Sequence, residues 1–169
     1  MTENSNGITT ELVKELRDKT GVSVMQCKKA LDETGGDMEK AAALLMAKSA
    51  EIADKKGDRT LGAGTVGSYV HSTGNVGTMV ELLCETDFVA KNEEFKALAR
   101  DIAMHASATD PKFLKADDAG ADAEPESVLL TQPFIKNPEV TITNLVQQAT
   151  QKFGEKIEVS RFVRFSISQ

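Results

Sequence analysis

The sequence contains no tryptophan, one tyrosine and only two cysteines among its 169 residues. Aromatic residues make up 5% of the chain, so its hydrophobic core must consist mainly of aliphatic side chains. The cysteines, Cys27 and Cys84, belong to no CxxC pair, and there are too few thiols for a structural zinc site. We therefore interpret both as reduced, buried side chains.

Basic residues are outnumbered, because 20 Lys and Arg stand against 26 Asp and Glu, for a net charge of −6 at pH 7. An acidic surface repels phosphate backbones, so we expect no direct nucleic-acid partner. No apolar run is long enough to span a membrane, so we expect no membrane partner. The polar N-terminal tail, residues 1–7, lacks the basic and apolar regions of a signal peptide. These features predict a cytoplasmic protein.

Residues 8–56 have the pattern of three short helices. Thr9, Ser23 and Asp37 each stand where a side chain can cap a helix N-terminus. Glycines end the first two helices, and apolar residues at helical spacing give each helix one buried face. The pattern predicts a small three-helix domain, followed by a glycine-rich linker at residues 57–64.

The composition changes after the linker, and residues 65–169 predict an α+β domain. Two β-like runs, 65–71 and 76–84, flank a turn and indicate a hairpin. Two amphipathic helices follow, and an acidic connection at residues 110–126 is expected to be a mobile surface segment. The last strand predicts one apolar face formed by Ile157, Val159, Val163, Phe165 and Ile167, which Arg161 interrupts. We expect an antiparallel sheet with helices packed on one face.

Residues 62–67 match the dinucleotide-binding pattern GxGxxG, but in a reversed context. A helix precedes the glycines and a strand follows them, so no helix N-terminus is available to a phosphate. The two histidines, His71 and His105, have no metal-ligand spacing around them, and we interpret both as surface or boundary residues. The sequence carries no nucleophile elbow, phosphate loop or HExxH helix. It therefore predicts no catalytic residue, no metal ligand and no cofactor.

The most informative segment is Thr86-Asp87-Phe88-Val89-Ala90, which we assign to a loop between a buried strand and a long helix. In one interpretation Phe88 folds back onto the core and Asp87 is an ordinary turn residue. In the other, Phe88 is an exposed aromatic anchor beside a carboxylate, presented to a partner. The general tendency of large apolar side chains to be buried favours the first interpretation.

Several stretches of the sequence resemble the elongation factor Ts family. The most specific are residues 20–31, TGVSVMQCKKAL, and residues 84–92, CETDFVAKN. Residues 12–17, 132–134 and 161–165 also resemble segments of that family. The matches keep their order and span nearly the whole chain.

The resemblance implies a ubiquitin-associated-like three-helix domain joined to an α+β core of the dimerisation type. It also implies a function without enzymatic chemistry, namely guanine-nucleotide exchange on elongation factor Tu during translation elongation. The residues matching the segment that disturbs the Mg²⁺ and phosphate site of that GTPase are Thr86, Asp87, Phe88 and Val89. The residues matching N-terminal contacts with the GTPase domain are Arg17, Val24, Met25 and Lys28.

The sequence departs from longer family members in ways that bear on assembly. It holds one half of the core, with no second copy and no inserted coiled coil, and shortened members are expected to act as dimers. Some short forms pair through a cysteine near the C-terminus, which this sequence lacks, so a homodimer would be non-covalent at that point. Val24 also stands where many members carry methionine.

Two other classes of function remain open at this point. An adaptor that only grips a peptide or a helix would leave guanine-nucleotide release unchanged. A small hydrolase would use Asp87 with a histidine, but the sequence offers no oriented pair of base and nucleophile.

Overall fold

The structure is a computed structural model that describes residues 8–119 and 124–167. The chain divides into two compact units, Met1–Gly57 with Gln147–Gly154 and Asp58–Val146 with Glu155–Gln169. The predicted tail at residues 1–7 and part of the acidic connection, residues 120–123, lie outside the described residues. In the described ranges, no helix is both long enough and apolar enough to cross a membrane.

Three helices make up most of the first unit: α1 (Thr10–Thr20), α2 (Val24–Glu33) and α3 (Met38–Lys55). Each begins at its predicted cap, because Thr9, Ser23 and Asp37 accept a hydrogen bond from a backbone N–H of the first turn. The core draws on all three helices, with buried Val13, Leu16, Cys27, Ala30, Leu31, Ala41 and Leu45. The prediction of three helices is therefore confirmed.

The rest of the described chain forms β1 (Ala63–Val70), β2 (Val76–Cys84), α4 (Asp87–Ala90), α5 (Glu93–Thr109), α6 (Ala116–Ala119), β3 (Pro133–Phe134), β4 (Asn137–Thr141), α7 (Ile142–Phe153) and β5 (Glu158–Ser166). The central strand β2 pairs in antiparallel fashion with β1 on one side and β5 on the other. Helix α5 packs against this sheet with an apolar face. The predicted fold class, α+β with helices packed on an antiparallel sheet, is confirmed.

The glycines that match the dinucleotide pattern have a role in packing. Gly64 and Gly67 lie inside β1, which already begins at Ala63 within the segment interpreted as a linker. A Cβ atom built on Gly67 would stand 2.3 Å from the backbone carbonyl carbon of Ala99 on α5. Only a residue without a side chain allows strand and helix to approach so closely.

Strand β5 does not keep the single apolar face that its sequence predicts. Its register against β2 shifts between Glu81 and Leu82. Their partners are Arg161 and Val159, so Ser160 is left out of the pairing. One extra residue exchanges the inward and outward sides of the strand. Beyond this bulge the prediction is wrong, because the exposed side chains include Val163, Phe165 and Ile167.

Two short features of the second unit were not predicted. The strands β3 and β4 form a small antiparallel pair, which is too short to produce a visible alternation. Within the described part of the acidic connection, Phe113 forms a parallel bridge with Val128, and Pro111 is buried. Both cysteines are buried and free, as predicted.

Candidate partner-binding site

The second unit has a sharp corner between the end of β2 and the start of α5. The segment interpreted as a loop is one helical turn, α4. The Ala90 N–H donates to the Thr86 carbonyl at 3.1 Å, and the Lys91 N–H donates to the Asp87 carbonyl at 3.1 Å. Asn92 then caps α5, as predicted, by accepting a hydrogen bond from the Glu94 N–H at 2.8 Å. The corner is therefore a regular structure with defined side-chain directions.

Neighbouring side chains on α4 have opposite environments. Val89 is buried with 4% of its surface exposed, whereas Phe88 is 86% exposed. Successive residues of a helix differ in direction by roughly 100°, so one turn can expose one residue and bury the next. The interpretation in which Phe88 folds back onto the core is therefore wrong. The exposure of the Phe88 ring, which the other interpretation required, is confirmed. Val89 instead anchors the turn in its own unit.

Asp87 presents a negative charge next to the exposed ring. Its carboxylate lies 2.9 Å from the Lys91 ammonium, and both side chains are largely exposed. The hydrogen bond from Lys91, and then its positive charge, hold the pKa of the Asp87 carboxyl below its usual value. Asp87 is therefore ionised at neutral pH. An exposed pair of this kind adds little to folding stability, because water screens it.

The four residues matched to N-terminal contacts lie on α1 and α2 of the first unit. Val24 and Met25 are exposed at the start of α2, and Met25 has 81% of its surface accessible. Arg17 on α1 and Lys28 on α2 are also exposed. Burial raises the pKa of the Cys27 thiol, and a hydrogen bond with Thr20 and the positive charge of Arg17 oppose that shift. These helices therefore present exposed apolar and basic side chains.

Comparison with known proteins identifies the family. The family model described as Elongation factor TS matches residues 6–125, which include the α4 corner. Elongation factor Ts of Heliobacterium modesticaldum is 40% identical, over 96% of this chain and 91% of the relative. Elongation factor Ts of Thermodesulfovibrio yellowstonii is 41% identical, over 96% of this chain and 97% of the relative. The chain belongs to the elongation factor Ts family.

One buried histidine supports a segment that resembles the elongation factor Ts family. His105 is fully buried on α5, so its interpretation as a surface or boundary residue is wrong. Its Nε2 lies 2.8 Å from Gln132 Oε1, and its Nδ1 accepts a hydrogen bond from the Ile135 N–H at 3.2 Å. The ring also lies beside Phe134. Burial lowers the pKa of His105, which suits a neutral ring with Nε2 as the donor.

Sequence reasoning missed Glu155, which binds the α4 corner from a distant part of the chain. Its carboxylate accepts hydrogen bonds from the backbone N–H groups of Glu85 and Thr86. Thr86 also donates its hydroxyl to Glu155. No local pattern marks such a residue, because sequence motifs report neighbours along the chain and this contact spans 69 residues.

Proposed function

We propose that this member of the elongation factor Ts family is a guanine-nucleotide exchange factor for elongation factor Tu, acting in the cytoplasm during translation elongation. It binds the GDP complex, disturbs the Mg²⁺ and phosphate site, and promotes GDP release without enzymatic chemistry of its own. The observation that carries this proposal is the exposed Phe88 ring beside an ionised Asp87 on an ordered helical turn.

The ring supplies free energy when the partner buries it. Burying a phenylalanine side chain contributes about 1.5–3 kcal/mol. Because α4 is a helical turn anchored by Val89, Phe88 has little backbone freedom to lose on binding. That free energy can displace the partner's Mg²⁺ ligands, and Mg²⁺ tolerates little departure from octahedral geometry. Insertion of the ring therefore weakens the binding of Mg²⁺ first, and then the binding of the phosphates that Mg²⁺ coordinates.

Asp87 adds an electrostatic contribution of the same sign. A carboxylate brought beside groups that hold phosphate lowers their affinity for the negatively charged nucleotide. Factor and nucleotide then weaken each other's binding by the same ratio, since binding linkage is reciprocal. Incoming GTP therefore expels the factor and completes the exchange.

The first unit would add a separate contact with the GTPase domain. We assign this contact to Arg17, Val24, Met25 and Lys28, on the three-helix module that resembles ubiquitin-associated domains. Exposed apolar side chains beside basic ones suit a partner surface with an apolar centre and acidic surroundings. This contact would contribute affinity, while the α4 corner would contribute the change in nucleotide binding.

The same proposal includes a non-covalent homodimer. The face of the sheet opposite α5 exposes a row of apolar side chains on its three strands: Val66, Val70, Met79, Val163 and Phe165. In the strand registers, Met79 lies opposite Val163, and a shallow depression of about 290 Å³ is lined by both and by Val66. Large exposed apolar patches mark interaction sites, and a flat face can pair with its own copy around a two-fold axis.

The exchange proposal is tested by measuring the release of fluorescent GDP from elongation factor Tu in a stopped-flow instrument. We expect Phe88→Ala to slow the stimulated release by roughly tenfold to hundredfold, which corresponds to losing about 1.5–3 kcal/mol. The circular dichroism of the variant should be unchanged, because the ring is exposed. Ile135→Ala is a matched control, since Ile135 is another exposed apolar residue of the same unit.

Two outcomes would count against the exchange function. If the wild-type chain leaves GDP release unchanged while still binding elongation factor Tu, the adaptor class of function is favoured. If Phe88→Ala and Ile135→Ala both release GDP at the wild-type rate, insertion of the Phe88 ring is refuted.

A further inference from the structure

The N-terminus of α4 is held in an unusual way. Thr86 stands at the N-cap position, yet its side chain accepts no hydrogen bond from the helix. Its hydroxyl donates instead to Glu155 Oε1 at 2.5 Å. The backbone N–H groups of Glu85 and Thr86 donate to Glu155 Oε2 at 3.1 and 3.0 Å. One carboxylate thus accepts three hydrogen bonds from the residues that lead into Phe88.

Glu85 makes the reciprocal contact. Its Oε1 accepts a hydrogen bond from the Lys156 N–H at 2.5 Å. The guanidinium of Arg59 lies 3.2 and 3.3 Å from the two oxygens of Glu85. We call the pair Glu85 and Glu155 the carboxylate clamp. The Glu155 carboxylate binds the backbone N–H groups of Glu85 and Thr86, and the Glu85 carboxylate binds the N–H of Lys156. The clamp therefore joins the end of β2 to the segment that leads into β5.

A one-turn helix needs such support from outside. Four residues form too few internal hydrogen bonds to keep a helix in place in water. Val89 fixes one side of α4 by burial, and the hydrogen bonds to Glu155 hold the residues at its N-terminal end. Hydrogen bonds to an ionised carboxylate are shorter and stronger than neutral ones, so the clamp supplies the second point of attachment.

We propose that Glu155 is a positioning residue for nucleotide exchange, which fixes the direction of Phe88 and Asp87 through the clamp. The inference rests on the proposed exchange function. If the ring already has its binding orientation in the free protein, less of the binding free energy is lost in ordering it. More of that free energy is then available to distort the partner's Mg²⁺ site. Glu155 itself need not touch the partner.

The test compares Glu155→Gln and Glu155→Ala with the control Glu158→Gln in the full chain. The glutamine keeps the size of the side chain but replaces one accepting oxygen by an amide that donates. Glu158 lies on β5, where its carboxylate contacts the ammonium groups of Lys115 and Lys156. The control therefore removes a nearby negative charge and keeps both carboxylates of the clamp. Thermal unfolding of each variant establishes that it is folded.

We expect Glu155→Ala to lower the maximal rate of stimulated GDP release by roughly tenfold at saturating factor, and Glu155→Gln by a smaller factor, since small misplacements of working groups cost rate steeply. Hydrogen exchange of the free protein should show faster exchange at the amides of Glu85 and Thr86. The control should match the wild type in both measurements.

Combining each change with Phe88→Ala separates positioning from a general loss of structure. If Glu155 acts through the ring, its replacement should change the rate little once the ring is absent, because the two effects are then not additive. Equal slowing in both backgrounds, or amide exchange and rates equal to those of the control, would overturn the inference. A wild-type rate for Phe88→Ala alone would instead overturn the exchange function on which the inference rests.

Discussion

The α4 corner and the open face of the sheet, which is the face opposite α5, both expose large apolar side chains, but the structures that support these side chains differ. The corner presents one ring, Phe88, on a single helical turn held by Val89 and by the carboxylate clamp. The open face presents several side chains on three paired strands, each held by the backbone ladder. A single protruding ring suits a contact that forms and breaks quickly, whereas a broad flat face suits a lasting interface. What an exposed apolar surface can bind therefore depends on the structure that supports it as well as on its area.

The largest effect is expected from a charge placed on the open face. Phe165 is 68% exposed on β5, so Phe165→Glu should leave the chain folded but abolish pairing between copies, because an interface cannot easily bury an unpaired carboxylate. Sedimentation velocity at micromolar concentration measures the assembly, and Ser166→Glu at the end of the same strand serves as the control. If the wild-type chain sediments as a monomer, the open face is not an interface between copies.

The second effect distinguishes the two neighbouring side chains of the corner, Val89 and Phe88. Val89→Ala should lower the free energy of unfolding by about 2 kcal/mol, because it removes two buried methyl groups and leaves a cavity. Phe88→Ala should change this free energy by less than about 0.5 kcal/mol, since its ring is exposed. Urea unfolding of the two variants gives both values. Equal losses would mean that Phe88 also supports the fold.

The smallest effect is expected from protonation of the buried His105 on α5. The pKa of His105 is lowered in the folded protein, so the unfolded chain binds more protons as the pH falls. The stability that neutral His105 contributes is therefore present above the usual histidine pKa of about 6.5 and is lost as the pH falls below it. Urea unfolding at pH 7.5 and pH 5.5 should show this loss, and His105→Gln should show less of it. An equal loss in the variant would assign the effect to other groups.

Local signals predicted the parts of the fold that local interactions decide. The caps at Thr9, Ser23 and Asp37 act within four residues of themselves, so the sequence places the starts of three helices correctly. The register of β5 is different, because the bulge at Ser160 is decided by pairing with β2. Arg161 interrupts the alternation along the strand, but this does not show which residue is left unpaired, so the predicted apolar face fails after Val159.

The candidate site divides in the same way. The resemblance located the segment from Thr86 to Val89, but sequence physics favoured a buried Phe88, since the phase of a single helical turn depends on what anchors it. In the folded chain α4 is anchored by the buried Val89 and by the hydrogen bonds of Thr86 to Glu155. Glu155 gave no signal at all, because its partners at Glu85 and Thr86 are distant along the chain.

The bulge in β5 has a consequence for how such a chain can acquire or lose a docking surface. Without Ser160 as an unpaired residue, the pleat would carry Val163 and Phe165 toward α5 and turn their neighbours outward. A one-residue insertion or deletion in β5 would therefore replace Val163 and Phe165 on the outer side of this sheet by Phe162, Arg164 and Ser166. Val66 and Met79 of the neighbouring strands would stay on that side. In this fold, the number of residues in β5 therefore influences association between chains as well as the types of those residues.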